Sequence, residues 1–281
     1  MASPVADESP GLTIVKIAAN PFLRGSAGKC TSSIFRNFFF LQYRGVFFPG
    51  RIPVTKVDHP LDEKIPFTPG RIAVYLDFVA FWIRILGFLL RHFGRRALAP
   101  VKNFIDSMGA LYAFAAEVYS QNFSTTNRPR YLARPRFVLI HAVDPHLMCI
   151  PSLHVMVMIR SYTMFEKMLN ELGPAETFAP QIEEIKQGAL AITEAVLYVK
   201  QHSVNCISAA MYAMTRFDET LFPPDEAERF AAKLFVKPGK PSGDDAAAIR
   251  SHISSLYRRF LEDGRSAARW EDPLLAFLQA R

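Results

Sequence analysis

One long apolar run constrains the fold of this chain more than any other feature. From Ile72 to Leu90, only Asp77 and Arg84 interrupt a continuous series of apolar and aromatic side chains. A helix needs about 20 such residues to cross a bilayer, so this run is long enough to span a membrane. A single apolar run also fits the core helix of a soluble protein, and both readings stay open at this point.

Further apolar stretches predict a helical bundle. Six stretches in all are apolar enough to form helices, at residues 34–48, 71–93, 104–120, 152–169, 186–200 and 203–217. Half of the residues are hydrophobic and 24 are Phe, which is typical of a bundle that faces lipid. We therefore expect an all-α fold, a polytopic membrane bundle of about six helices with a small C-terminal helical extension. Charges inside several stretches, such as Arg160 and Glu194, leave a soluble or peripherally bound helical protein as the alternative.

Composition divides the chain into three parts. Residues 1–33 lack the apolar core and cleavage pattern of a secretory signal and are predicted to be an N-terminal tail. Residues 34–221 form the predicted membrane domain. Residues 222–281 are charged and alanine-rich, which predicts a helical extension with helices over 225–236 and 244–262. A segment rich in proline and glycine at 237–243 is expected to separate these two helices.

The distribution of basic residues predicts an orientation in the membrane. Arg91, Arg95, Arg96 and Lys102 follow the second stretch, and the positive-inside rule places them in the cytoplasm. Six passes then leave both termini in the cytoplasm, with the 121–151 loop and the 200–203 turn on the opposite face. We expect a protein of the cytoplasmic or inner membrane. The inverted topology, with these two loops in the cytoplasm, is the alternative.

The net charge and the cysteine content restrict the classes of partner and cofactor that we expect. The formal net charge of +7 favours anionic partners, either phospholipid head groups or nucleic acid. The basic residues are scattered among phenylalanines and form no nucleic-acid-binding motif, so no nucleic-acid partner is expected. His141, Asp144 and His146 match no standard ligand spacing, and the three cysteines are widely separated. We therefore predict no metal and no cofactor.

Two histidine-bearing segments predict a phosphate site. His154 follows Pro151-Ser152-Leu153, and His202 follows Lys200-Gln201. Two imidazoles suit phosphoryl transfer, since one can attack phosphorus while the other protonates the leaving oxygen. A proline-broken loop upstream carries four residues whose guanidinium groups can clamp phosphate oxygens: Arg128, Arg130, Arg134 and Arg136.

The same segments carry a family resemblance. Asp144-Pro145 followed by the run from Cys149 to Val155 resembles the second motif of the type 2 phosphatidic acid phosphatase superfamily, and Lys200-Gln201-His202 resembles the third. The resemblance covers about residues 35–217. It implies hydrolysis of a lipid or isoprenoid phosphate monoester or diphosphate without metal, through a phosphohistidine. In that reaction His202 would be the nucleophile and His154 the acid, while the phosphate would be held by Arg128, Arg134, Ser152 and Lys200.

The chain departs from that pattern at functional positions. Cys206 stands where the superfamily carries an aspartate that orients the nucleophile, and a neutral thiol orients an imidazole poorly. Ala195 and Val196 replace the polar residues that open the third motif. The basic residue expected seven positions before Arg134 is displaced by one, to Arg128.

Two readings follow from these departures. Cys206 itself is a possible orienting residue, or Glu194 or Asn205 substitutes for the lost aspartate, because their helical spacings place them near the face of His202. Alternatively, the chain is a catalytically degenerate relative that binds a phospholipid head group or a partner without turnover.

Overall fold

The computed structural model describes residues 3–237 and 241–281, and these fold almost entirely into helices. The helices of the first half are α1 (Pro10–Ala19), α2 (Arg24–Ile34), a π-helical segment (Phe35–Phe40), α3 (Leu41–Phe47), α4 (Ile72–Leu76), α5 (Phe78–Phe93), α6 (Leu98–Tyr119) and α7 (Pro135–Val143). Those of the second half are α8 (Leu153–Leu172), α9 (Ala179–Tyr198), α10 (Val204–Phe217), α11 (Pro224–Ala232), α12 (Gly243–Asp263) and α13 (Asp272–Gln279). Short 3-10 turns lie at Val5–Asp7, Pro60–Lys64, Pro69–Arg71, Gly94–Ala97 and Ala175–Phe178.

Helix α8 is the centre of the molecule. It is apolar around most of its circumference and packs against α5, α6, α9 and α10, which leaves it almost wholly buried. The guanidinium of Arg160 lies inside this core and donates to Ser107 Oγ at 2.6 Å and to Asp218 Oδ2 at 2.7 Å. A buried charge is tolerated when it is paired and hydrogen-bonded in this way.

The all-helical prediction is confirmed, and each of the six apolar stretches lies mainly in helix. The apolar run from Ile72 to Leu90 divides at Asp77, between α4 and α5, and the Asp77 carboxylate pairs with Arg84 on α5. In the described parts of the chain, one helical run, Pro69–Tyr119, contains a window long and apolar enough to cross a membrane, and half of that window is buried. Core helices of soluble proteins meet the same criterion, so a six-pass bundle is not established by the fold.

The first 33 residues differ from the expected tail. Residues 1 and 2 lie outside the described part, but α1 and α2 pack on α5 and α6. The side chain of Thr13 lies against Gly87, and the backbone of Cys30 lies against Gly109. The carboxylate of Glu184 accepts hydrogen bonds from the amides of residues 5 and 6 at 2.9 and 2.7 Å. Gly87 on α5 and Gly109 on α6 leave room for α1 and α2 to pack closely. Helical periodicity within residues 1–33 does not reveal these contacts.

The C-terminal extension is part of the same core. Helix α12 lies along α10, where Ser208 Oγ donates to the carbonyl of Ile253 at 3.0 Å and Thr215 Oγ1 lies 2.9 Å from Tyr257 Oη. Helices α11 and α12 occupy the two predicted positions, whereas α13 adds a helix that was not expected. Of the breaker predicted at 237–243, residues 238–240 lie outside the described part.

Two short parallel strands position the loop before α8. Strand β1 (Val54–Lys56) pairs with β2 (Phe123–Thr125), with Val54 opposite Phe123. Ser124 then holds the incoming chain, because its carbonyl accepts from Cys149 N at 3.2 Å and its Oγ accepts from Ile150 N at 2.7 Å. These bonds fix the direction in which the segment 149–154 enters α8.

Candidate functional site

The structure brings His154 and His202 together. His154 lies in the first turn of α8, and His202 lies in the turn between α9 and α10. Their ring centroids are 5.5 Å apart, with the ring planes at 65°. Tyr75 and Phe78 flank the His154 ring at 4.5 and 4.2 Å, so its orientation is fixed by aromatic contacts. The two histidine rings are in edge-to-face contact.

Both nitrogens of His202 are buried, but only one has a partner. Ser152 Oγ lies 3.3 Å from Nε2, and Ser152 makes no capping bond to α8, so its hydroxyl is directed to the histidine. Nδ1 has no hydrogen-bonding partner among the described residues. A buried polar group without a partner costs about 1–3 kcal/mol, which makes this nitrogen an unusual feature of the core.

Cys206 lies four residues after His202, at the start of α10. It is fully buried in the first turn of α10, and its Sγ accepts from the Ser203 amide at 3.4 Å. Burial disfavours ionisation of this thiol, but hydrogen bonding from Cys149 and the neighbouring His202 outweighs it and lowers the pKa of Cys206 to about 6. A thiolate here would be an anion beside an imidazole, and an anion in that place favours the charged form of the ring.

Neither Glu194 nor Asn205 is placed to orient His202. Glu194 Oε1 accepts from the Phe235 amide at 2.7 Å, on the side of α9 that faces the C-terminal extension. Asn205 donates to the carbonyl of Val57 at 3.0 Å, and its Oδ1 lies 2.8 Å from His252 Nε2. The expectation fails because His202 lies in a non-helical turn, so helical spacing does not carry from α9 or α10 onto its ring.

Of the four clustered arginines, Arg128 is the one that reaches the site. It donates to Gln201 Oε1 at 3.1 Å and to the Asp144 carbonyl at 2.8 Å, and its guanidinium lies 3.9 Å from the Asp144 carboxylate. Arg134 is exposed at the start of α7 and, among the described residues, donates to the carbonyl of Pro69 at 3.4 Å. Arg130 and Arg136 are exposed as well. The predicted clamp therefore reduces to one guanidinium.

Lys200 is turned toward the entry segment. Its ammonium donates to the backbone carbonyls of Asp62 and Ile65. These hydrogen bonds occupy N–H groups that a phosphate would otherwise accept from. Burial lowers the pKa of Lys200, and Asp62 and Glu63 oppose that shift. Its backbone has φ 56°, a left-handed conformation that only a tightly determined turn imposes on lysine. The residue shapes the turn that presents His202.

His146 is a buried member of the site that sequence reasoning set aside. Its Nε2 lies 2.7 Å from Thr126 Oγ1, and Cys149 Sγ lies 3.7 Å from the same nitrogen. Burial, followed by the charge of Arg128, lowers the pKa of His146 to about 2, so the ring is neutral. The Asp144-Pro145-His146 sequence could have indicated that His146 belongs to the site. Asp144 Oδ1 accepts from the His146 amide at 2.8 Å and so sets the turn that places this histidine.

A surface cleft of about 640 Å³ lies beside the turn that carries His202, and its lining includes the acids Asp58, Asp62 and Glu63. Its walls include Arg128 and Lys200 on the side of the site, and Asp62 and Phe67 on the side of the entry segment. No group of three or more residues in the described ranges has a metal-binding arrangement. The site therefore consists of imidazoles, hydroxyls, thiols and one guanidinium, and the guanidinium also lines the cleft.

No protein-family model, curated protein or solved structure matches this chain. Its class is therefore defined only by the fold and site described above, a helical protein with two closely spaced histidines beside a cleft lined by both acidic and basic residues.

Proposed function

We propose that the chain hydrolyses a lipid or isoprenoid phosphate through a phosphohistidine on His202. The observation that carries the proposal is the approach of His154 and His202 to 5.5 Å, with the Ser152 hydroxyl on Nε2 of His202. Nε2 would attack phosphorus, and the bond from phosphorus to the ester oxygen would break. Arg128 and Ser152 are the groups best placed to balance charge on the phosphoryl oxygens.

His154 would supply the proton for the departing alkoxide. Burial, followed by the neighbouring His202 and His146, lowers the pKa of His154 well below its ordinary value, so the ring is neutral without substrate. A phosphate anion beside the ring favours its protonated form and raises that pKa. His154 would therefore become an acid only when substrate is bound. Water would then attack the phosphohistidine and release inorganic phosphate.

A membrane location is part of this proposal, because the substrate is a lipid. The support is the apolar run within Pro69–Tyr119, together with the high content of exposed apolar side chains. Six transmembrane passes, cytoplasmic termini and a site on the opposite face are not needed for the chemistry. The proposal requires that the cleft beside Arg128 opens at a bilayer.

The test is release of inorganic phosphate by the purified chain from a panel of phosphatidic, lysophosphatidic and isoprenyl phosphates, with a chelator in place of metal. We expect His154→Ala and His202→Ala to lose activity at least 10³-fold, while His92→Ala, at the exposed end of α5, stays unchanged. A base-stable, acid-labile phosphoenzyme should form in the wild type and be absent in His202→Ala. Activity that survives both active-site substitutions would overturn the proposal.

A second function is favoured by the unpartnered Nδ1 of His202 and by Cys206 in the place of a carboxylate. In this alternative the same site binds a phosphate head group without turnover. Calorimetric titration with a short-chain lipid phosphate distinguishes the two functions. Binding that is lost in Arg128→Ala, with no phosphate released by the wild type, assigns the binding function.

A further inference from the structure

Two segments of this chain are free of acidic residues. Residues 9–57 contain seven lysines and arginines and no aspartate or glutamate, and residues 118–143 contain four arginines and no acid. The chain has 26 acidic residues in total, so their absence from these segments is a strong segregation of charge. Both segments contribute helices to the surface of the molecule.

The two acid-free segments meet in the structure. Tyr43 Oη on α3 donates to the carbonyl of Val143, the last residue of α7, at 3.1 Å. Gln42 Oε1 accepts from the Leu147 amide at 3.2 Å, just beyond α7. Gly45 lies so close to the Phe123 ring that an added Cβ would be 2.5 Å away. Helix α3 is therefore held beside the C-terminal end of α7.

Large apolar side chains project from both helices into solvent. Phe40 and Phe47, seven residues apart on one helical face, are 69% and 72% exposed, and Leu139 is 55% exposed on α7. We define the docking surface by its apolar members Phe40, Phe47, Phe48, Leu139 and Val143, and by its exposed arginines Arg36, Arg44, Arg51 and Arg136. Several large apolar side chains exposed on neighbouring helices are typical of an interaction site.

The charges on this surface select its partner. Arg44 lies between Phe40 and Phe47 in the sequence, and the guanidinium of Arg51 lies 4.8 Å from the Phe48 ring centroid. Asp144, the nearest acid along the chain, is turned inward to Arg128 and the His146 amide. A second copy of this chain would oppose arginine with arginine. Apolar side chains flanked by cations suit a leaflet whose head groups are anionic.

We propose that the docking surface inserts its phenylalanine and leucine side chains into the interfacial region of an anionic phospholipid leaflet. The contact is parallel to the membrane and does not require a transmembrane pass. Helix α7 follows the loop that carries Arg128, so docking brings the cleft to the leaflet from which a lipid phosphate would enter. The inference rests on the proposed membrane location but not on catalysis by the histidine pair.

The test is flotation of the full chain with vesicles of phosphatidylcholine alone or with 30% phosphatidylserine. We expect at least tenfold stronger binding to the anionic vesicles. The double variant Phe47→Ser/Leu139→Ser removes apolar contact with the leaflet. The double variant Arg44→Glu/Arg136→Glu removes two cations, each of which contributes about fivefold to vesicle affinity. Each should weaken binding at least tenfold, while the exposed control variants Val236→Ser and Arg265→Glu bind as the wild type does.

Circular dichroism establishes that each variant is folded, and the residues substituted on the docking surface and in its two controls are all exposed. Equal binding of the wild type and both double variants would overturn the inference, as would equal binding to neutral vesicles or resistance of the bound chain to carbonate extraction. Self-association that is lost in Phe47→Ser/Leu139→Ser, without vesicle binding, would assign the surface to a second copy instead. His202→Ala should still bind vesicles, which separates this result from failure of the proposed catalysis.

Discussion

At the scale of single residues, the least expected feature is the environment of His202. Its Nδ1 is buried without a partner, and the position that would orient it holds Cys206. The imidazole gains a neighbouring anion only in the thiolate form of Cys206, whose pKa hydrogen bonding lowers to about 6 despite burial. Charge stabilisation of His202 therefore depends on the proximity of a thiolate, which is a softer and weaker acceptor than a carboxylate and makes no directed hydrogen bond to Nδ1.

Cys206→Asp should raise phosphate release, because a carboxylate one turn into α10 can accept from Nδ1 of His202 and keeps the Ser203 amide bonded. We expect an increase of at least tenfold, since removal of such a carboxylate from a triad costs about 10⁴ in turnover. Initial rates of phosphate release measure the effect. Cys206→Ala should lower the rate of phosphate release. Cys30→Ala, which removes a buried thiol on α2, is the control and should leave that rate unchanged. A rate for Cys206→Asp at or below that of the wild type would exclude an orienting role for position 206.

Arg128 and Arg134 provide a second comparison at this scale, because the sequence assigns both to phosphate and the structure separates them. Arg128→Ala should reduce kcat/KM by about 10² or more, since a charge-assisted contact to the phosphate is lost. Arg134→Ala should change kcat/KM less than threefold, because Arg134 is exposed and donates to the carbonyl of Pro69. Steady-state kinetics on one lipid phosphate decide between them. Equal losses in both variants would mean that the 128–136 loop acts as a unit.

At the scale of helices, the amphipathic pattern of the sequence and the packing against neighbours contribute differently to helix formation. Five of the apolar stretches form helices that bury many apolar side chains, the stretch at 34–48 is helical but half-buried or exposed along most of its length, and α1, α2 and α7 are short helices that contain Pro, Gly, Ser or Arg. These helices are stabilised by their neighbours. The contact of α2 with α6 is an example, because Gly109 lets the backbone of Cys30 approach and Ser33 Oγ donates to the Gly109 carbonyl at 2.6 Å.

Gly109→Val should destabilise the chain, because a Cβ at position 109 would lie 3.2 Å from Cys30 Cα and α2 would have to move. Overpacking of this kind costs about 1–3 kcal/mol. The matched control is Gly28→Ala on α2, which is exposed and open and should stabilise by about 0.5–1 kcal/mol. Thermal unfolding measures both. If Gly109→Val melts at or above the temperature of Gly28→Ala, α2 is not docked on α6.

At the scale of the whole molecule, the C-terminal extension and the histidine site are connected. His252 on α12 lies 2.8 Å from Asn205 and stacks on His59 with ring centroids 3.9 Å apart. Arg281 donates to the carbonyl of Asp58 at 2.8 Å, which fastens the last residue to the rim of the cleft. The extension therefore covers α10 and the entry segment and completes the core from which the site is built.

Buried neutral histidines make the fold sensitive to acid. Burial lowers the pKa of His146 to about 2 and that of His252 to about 4, below the unfolded value of 6.5. Below pH 6.5 the unfolded chain binds more protons, so the free energy of unfolding should fall as pH decreases, by up to about 1.4 kcal/mol per pH unit for each buried histidine. Burial raises the pKa values of Asp62 and Glu194, which act in the opposite sense.

Denaturant unfolding at pH 7.0 and 5.5 tests this dependence. His252→Gln should lose less stability between the two pH values than the wild type, because one of the titrating groups is gone while a donor to Asn205 is kept. His92→Gln, at an exposed site, should keep the wild-type dependence apart from a small contribution of its own. An unfolding free energy for the wild type that is equal at both pH values would contradict the expectation.

The sequence by itself determined the helical class, the six apolar stretches and the pairing of His154 with His202 as candidates. Apolar periodicity and short motifs are local properties, and the chain carries them wherever it folds. The tertiary structure alone decided that Arg128 reaches the site while Arg134 stays in solvent, that Glu194 and Asn205 bond elsewhere, and that residues 10–34 pack as helices. These outcomes depend on the direction of a side chain from a non-helical turn and on the fit of small residues between helices, which arise only when distant parts of the chain meet.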